Sequence, residues 1–265
     1  MSSSLIIGQY IPSDSVIHRL DPRSKIAVIF FYVVIVFFAN SVMSYGVLAL
    51  FALSSAVLSK VPFSYIMKGL KPVWFLVIFT FLLHLFVTRE GEVAFSLFGW
   101  AVYEEGLIQG AAISLRFFLL ILVTSLLTLT TTPIEITDAI EELLGPLKKV
   151  KFPVHELALM MSISLRFIPT LMQETEKISK AQASRGVDFR TGAFKDRVKA
   201  VVPLLVPLFV SAFKRAEELA MAMEARGYQG GEGRTKLREL KLERRDWLLF
   251  AVFILLAAVL FLTRS

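Results

Sequence analysis

Residues 200–213 read AVVPLLVPLFVSAF, from Ala200 to Phe213, and whether that stretch crosses a membrane decides the architecture of the chain. It is shorter than the ~20 apolar residues that a helix needs to span ~30 Å of hydrocarbon. Pro203 and Pro207 divide it, and prolines at that spacing kink a helix rather than extend it. A companion stretch, Val154 to Leu165, is equally short and is interrupted at its end by Arg166 and Pro169. If both crossed, the link carrying Lys177, Lys180, Arg185, Arg190, Lys195 and Arg197 would lie outside the cell, against the bias that keeps basic loops in the cytoplasm. Both are therefore expected to be helices lying in or under the membrane interface.

Working outward, five other stretches are long and apolar enough to span, near residues 24–40, 42–59, 72–88, 106–131 and 247–263. Of the 265 residues 55% are hydrophobic, 23 of them Phe, and only 19% are charged, too apolar for a soluble domain of this size. The expected fold is an all-α membrane protein with about five transmembrane helices and additional cytoplasmic amphipathic helices. Its expected divisions are a four-span domain (1–131), a cytoplasmic segment (132–246) and a final span (247–265). Arg19, Arg23 and Lys25 precede the first span and Lys60, Lys68 and Lys71 separate the second from the third. The next loop carries Glu90, Glu92, Glu104 and Glu105 against Arg89, which places the N-terminus inside. Residues 132–246 hold 20 of the 29 Lys and Arg. No signal-peptide pattern occupies Ser2 to Gln9, so the first span is expected to direct insertion and stay. The absence of cysteine excludes disulfides, thiolate metal sites and a Cys nucleophile.

The cytoplasmic segment opens with Thr132, Pro133, Ile134 and Glu135, the spacing of a capping box. Ile136, Ile140, Leu143, Leu144 and Leu147 then form one apolar stripe, with Asp138, Glu141 and Glu142 facing away. Two long helices follow, from about Pro153 to Arg185 and from about Phe194 to Arg226. One ends Ala183, Ser184, Arg185, Gly186 and the other Ala225, Arg226, Gly227. Glycine readily takes the left-handed conformation past a helix C-terminus, so each arginine is presented at a helix tip. There the helix dipole favours a cation, and a guanidinium offers a rigid fork of donors to a partner's carboxylate. A plain helix stop has the same local pattern; its duplication on one chain is what points to function.

Met160, Met161, Met172, Met221 and Met223 cluster on the same two helices, where flexible thioethers suit either a partner surface or a core. The Gly227 to Gly233 run lacks the spacing of a phosphate-binding loop, and no nucleotide motif or catalytic set is present. His18, His84 and His155 fall on different sides of the expected topology and cannot meet as metal ligands. Arg116 is the single charge inside a span, a functional candidate by default that a packed hydrogen bond to backbone carbonyls would also explain. Gly106, Gly110 and Ser114 form a small-residue stripe that another helix can approach closely.

Three stretches carry a family resemblance: His18 through Lys25 (HRLDPRSK), Thr130 to Pro133, and the paired Arg-Gly tips with Ala216, Glu217, Glu218, Leu219 and Ala220 before the second. Together they resemble EcfT, the transmembrane T component of energy-coupling factor (ECF) transporters, from about Gln9 to Tyr228. Ser184, where alanine is common in the family, is a small departure. The resemblance implies a non-enzymatic scaffold in a prokaryotic plasma membrane, N-terminus cytoplasmic, between two ATPase subunits and a substrate-binding S component for a vitamin or transition-metal ion. ATP and magnesium would be bound by the ATPases, leaving no cofactor in this chain and no nucleic-acid partner. Residues 183–186 and 225–227 would contact the ATPases, and the five methionines would face the S component. The rival classes are a self-contained secondary transporter, which needs midplane polar groups and an internal repeat, and a membrane-anchored interaction protein.

Overall fold

Asp21 and Pro22 begin the first helix as their residue types dictate: the Asp21 carboxylate accepts from the Arg23 backbone N–H at 2.8 Å, and proline takes the first position. The computed structural model describes residues 10–97, 100–187, 194–230 and 240–263. Its elements are α1 (Pro22–Val36), α2 (Val42–Leu58), α3 (Phe63–Val87), β1 (Val93–Leu97), β2 (Trp100–Tyr103), α4 (Glu104–Thr130), α5 (Pro133–Leu143), a 3-10 helix (Gly145–Val150), α6 (Val154–Ser184), α7 (Phe194–Ala225) and α8 (Arg244–Leu262). The expected cap at α5 is present in both directions, Thr132 N–H to Glu135 Oε2 at 3.0 Å and Glu135 N–H to Thr132 Oγ1 at 3.3 Å. The chain is an all-α membrane protein but for one antiparallel β1–β2 hairpin among the described residues.

A helix stands at each of the five expected span positions, with unequal lengths. The 15 residues of α1 and 17 of α2 reach only ~22 and ~25 Å at 1.5 Å per residue. The 27 of α4 reach ~40 Å. Helix α3 starts nine residues earlier than expected and bends by 55° between Phe63–Lys71 and Val73–Val87, at Pro72, which has no N–H to give the ladder. By length and apolar composition alone, α4, α6 and α8 qualify as spans, and the bent α3 is a fourth. Thus α6, read in the sequence as interfacial, is long enough to cross, whereas α1 and α2 are short. The two long helices run through their prolines as expected, α6 through Pro169 and α7 through Pro203 and Pro207.

Two compact units result: α1 to α5 with the hairpin and α8 form one, and the 3-10 helix with α6 and α7 form the other. In the first, Tyr32, Val36, Leu48, Leu119 and Leu260 are fully buried, and the Tyr32 hydroxyl donates to the Leu48 carbonyl at 3.1 Å. Phe30, Phe31, Leu50, Val57, Phe75 and Leu255 point outward and are exposed. That outer belt is what a hydrocarbon solvent requires, since lipid tails are as apolar as the side chains. The small-residue stripe of α4 packs against α3 of the same chain. A Cβ at Gly106 would stand 3.1 Å from the His84 carbonyl and one at Gly110 3.3 Å from the Phe81 carbonyl, while Ser114 Oγ donates to the Val77 carbonyl at 3.1 Å.

Helix α5 turns part of its acidic side inward. It packs on α1 with Thr137, Ala139 and Glu141 buried, and leaves Ile134 and Leu143 exposed. Glu141, on the side away from the apolar stripe, is covered, while Leu143 of the stripe is exposed, as an amphipathic helix at a membrane surface allows. Arg23, on α1, approaches Glu142 at 3.9 Å across the same contact.

Candidate functional site

Both arginine tips are built by one backbone device. At the end of α6 the Gly186 N–H bonds to the Ala183 carbonyl and the Val187 N–H to the Gln182 carbonyl, each at 3.0 Å. At the end of α7 the Gly227 N–H bonds to Glu224 at 2.8 Å and the Tyr228 N–H to Met223 at 3.0 Å. These are the paired bonds of the Schellman motif, closed by glycines at φ +83° and +73°. Nothing lies within 4 Å of a Cβ built on either glycine, so the positive φ alone calls for that residue. Arg185 and Arg226 therefore occupy the same position, the last residue before the left-handed turn, and both are exposed.

The two helices pair antiparallel. Gln182 Nε2 donates to the Pro203 carbonyl at 3.4 Å, and Arg215 bonds Glu174 at 2.8 Å. Leu159 and Ile163 of α6 share a cavity with Leu219, Met223 and Arg226 of α7. The tips thus stand at opposite ends of the pair, roughly 35–40 Å apart at 1.5 Å per residue. The outward side is apolar: Val202, Val206, Phe209, Val210 and Phe213 on α7 and Leu157, Met160 and Met161 on α6 are exposed. Met221 is exposed too, and Met223 lines the cavity. Antiparallel pairing gathers Met160, Met161, Met221 and Met223 at the Arg226 end, and leaves half-buried Met172 near mid-pair.

A second constellation, in the other unit, lies where α1 and α8 begin and α4 ends. Lys25 Nζ, buried, donates to the Thr130 carbonyl at 3.1 Å, to Thr131 Oγ1 at 3.2 Å and to the His18 carbonyl at 3.5 Å. The Asp21 N–H donates to Asp246 Oδ1 at 2.8 Å, and the other oxygen of that buried carboxylate accepts the Glu243 N–H, closing the cap of α8. Ile11 N–H bonds the Leu129 carbonyl at 3.0 Å. The HRLDPRSK string is thus a latch that holds three helix ends together.

A family model described as cobalt transport protein, CbiQ, matches residues 13–237. The energy-coupling factor transporter transmembrane protein EcfT of Bacillus subtilis is 64% identical over 265 residues, the whole of both chains. The EcfT proteins of Brevibacillus brevis and Exiguobacterium sibiricum are 53% and 54% identical, each over 98% of this chain, and over 98% and 99% of their own lengths. This chain belongs to the EcfT family. It is accordingly a multi-pass membrane component of the ECF transporter class.

In this EcfT-family chain Arg116 is engaged rather than free. Its NH2 donates to the Ala39 carbonyl at 3.2 Å and to the Tyr45 hydroxyl at 2.8 Å, and its guanidinium carbon lies 5.5 Å from the Phe37 ring centre. The packed bond to a backbone carbonyl is therefore the arrangement observed, with a cation–π contact beside it. Among the described residues no group of three or more His, Asp and Glu stands together as a metal site. Sequence reasoning missed Asp246 and Lys25 as partners of Asp21 and Thr130. Arg166 it took only as an interruption, yet Arg166 lines the same cavity as Arg226. Residues 188–193 and the glycine run beyond Gly230 lie outside the described residues.

Proposed function

We propose that this chain is the coupling scaffold of an ECF transporter. In this reading Arg185 and Arg226 dock two separate ATPase subunits, and the apolar side of the α6–α7 pair carries a substrate-binding S component whose reorientation moves a vitamin or transition-metal ion inward. The observation that carries the reading is the pair of identically capped, exposed arginines at the two ends of one antiparallel helix pair. One tip would serve a helix stop; two, separated by roughly 35–40 Å, suit two protein partners side by side.

The N-terminus lies in the cytoplasm in this account, as the basic residues favour, and α6 and α7 lie along the inner membrane surface. The exposed row Val202, Val206, Phe209 and Phe213 recurs at helical spacing and supports that placement, since such a stripe is stable against lipid or an apolar partner and not against water. ATP and magnesium belong to the ATPases, and this chain supplies mechanical linkage.

Co-purification from detergent tests the proposal, combined with substrate uptake by cells carrying Arg185→Ala, Arg226→Ala or both. Charge-assisted hydrogen bonds contribute roughly 1.5–3 kcal/mol each, so each single change should weaken ATPase retention by about 10- to 100-fold. The double change should abolish uptake while the chain still inserts. Normal uptake by the double variant would end the docking role, and retained ATPases without any uptake in the wild type would favour an anchoring protein.

A further inference from the structure

At the end where α6 begins and α7 finishes, the pair forms an open cleft of about 560 Å³. Leu159, Ile163 and Leu219 give it apolar walls, Arg166 and Arg226 line it as two cations, and Tyr228 lines it from the turn after Gly227. Among the described residues no Asp or Glu lines it. Among the described residues neither guanidinium makes a hydrogen bond or ion pair. Two cations facing one space repel, and an anionic occupant turns that repulsion into attraction.

We propose that this cavity receives a carboxylate-bearing side chain, with its apolar neighbours, from the ATPase subunit that docks at the α7 tip. Arg166, which lies outside the tip motif, is then a second docking cation, and the tip is a socket as well as a projection. The inference rests on the reading of Arg226 as an ATPase contact. A protein carboxylate is the occupant because the mouth is formed by the tip itself and apolar walls flank the charges, which matches an acidic side chain on a folded segment.

The test measures binding of the purified ATPases to the full chain in detergent or nanodiscs. Arg166→Ala should weaken binding at least about tenfold, as loss of a charge-assisted contact does. Arg166→Lys should restore part of it. Combined with Arg226→Ala the effects should be non-additive, because the two share one site, and combined with Arg185→Ala they should add, because the sites are far apart. Wild-type binding by Arg166→Ala, while Arg226→Ala is impaired, would overturn the socket and leave the tips standing. If neither variant binds less, both the socket and the docking role fail. Loss of thermal stability with every partner lost together would make Arg166 a packing residue and overturn the proposal. So would loss of bound phosphatidylglycerol in native mass spectra with ATPase affinity unchanged, since the cavity would then hold a lipid headgroup.

Discussion

His18 shows how one side chain in the latch couples stability to pH. Its Nε2 donates to the Ile11 carbonyl at 2.9 Å, its Nδ1 lies 2.7 Å from Ser15 Oγ, and its backbone carbonyl accepts from Lys25. Burial, the largest influence, holds the imidazole below its ordinary value of 6.5, outweighing the opposing bond to Ile11. The unfolded chain therefore takes up the proton first as pH falls. The His18 contribution to stability is fully present above pH 6.5 and is lost as pH falls through that value toward the folded-state pKa. Thermal unfolding of the detergent-solubilised chain should move to lower temperature between pH 7 and pH 5.5, and His18→Gln should flatten part of that slope. An unchanged slope in the variant would remove His18 from the account. Lys25, beside it, is a buried cation satisfied by two carbonyls and a hydroxyl. Several kcal/mol of desolvation per ion must be offset by such acceptors.

The helix ends were the most legible elements in the sequence, because caps are local chemistry. Thr132 with Glu135, Asp21 with Pro22, and the two glycines after Arg185 and Arg226 all announce their geometry within four residues. The tips yield a test at this scale. Valine at 227 places a β-branched side chain in the left-handed region, at a cost of about 1–2 kcal/mol, whereas asparagine tolerates that region. Gly227→Val should raise hydrogen exchange at Arg226 to Tyr228 and lower ATPase retention, and Gly227→Asn should stay near wild type. Equal behaviour of the two variants would show that the cap does not position Arg226. Features set by distant contacts were not legible. The bond from Asp21 to Asp246 links positions 225 residues apart, and no local signal marks it. Nor was the burial of Glu141 legible, since the sequence placed it away from the apolar stripe of α5 without showing what covers it. The β1–β2 hairpin was read as plain loop, although the alternating residues of Val93 to Tyr103 carried a strand pattern.

At the scale of the whole molecule, the sequence reading yielded the class, the five helix positions and the two long helices that follow the fourth, but not how those two helices pair, which only tertiary contacts specify. That pairing sharpens the choice of topology. An antiparallel pair that crossed the bilayer would put its ends, and hence Arg185 and Arg226, on opposite sides; a pair lying along the surface keeps both in the cytoplasm. The length of α6 permits either, and the basic residues of the link favour the surface. The cysteine-free chain lets this be read directly. Single cysteines replacing Ser184 and Ala225, the exposed residues beside the two arginines, would be treated with a membrane-impermeant thiol reagent from each side of the membrane, with Glu90→Cys as the external reference. The account predicts that both tip cysteines label only from the cytoplasm and Glu90→Cys only from outside. External labelling of either tip would contradict it, because the two arginines would then face different compartments and could not both dock cytoplasmic ATPases.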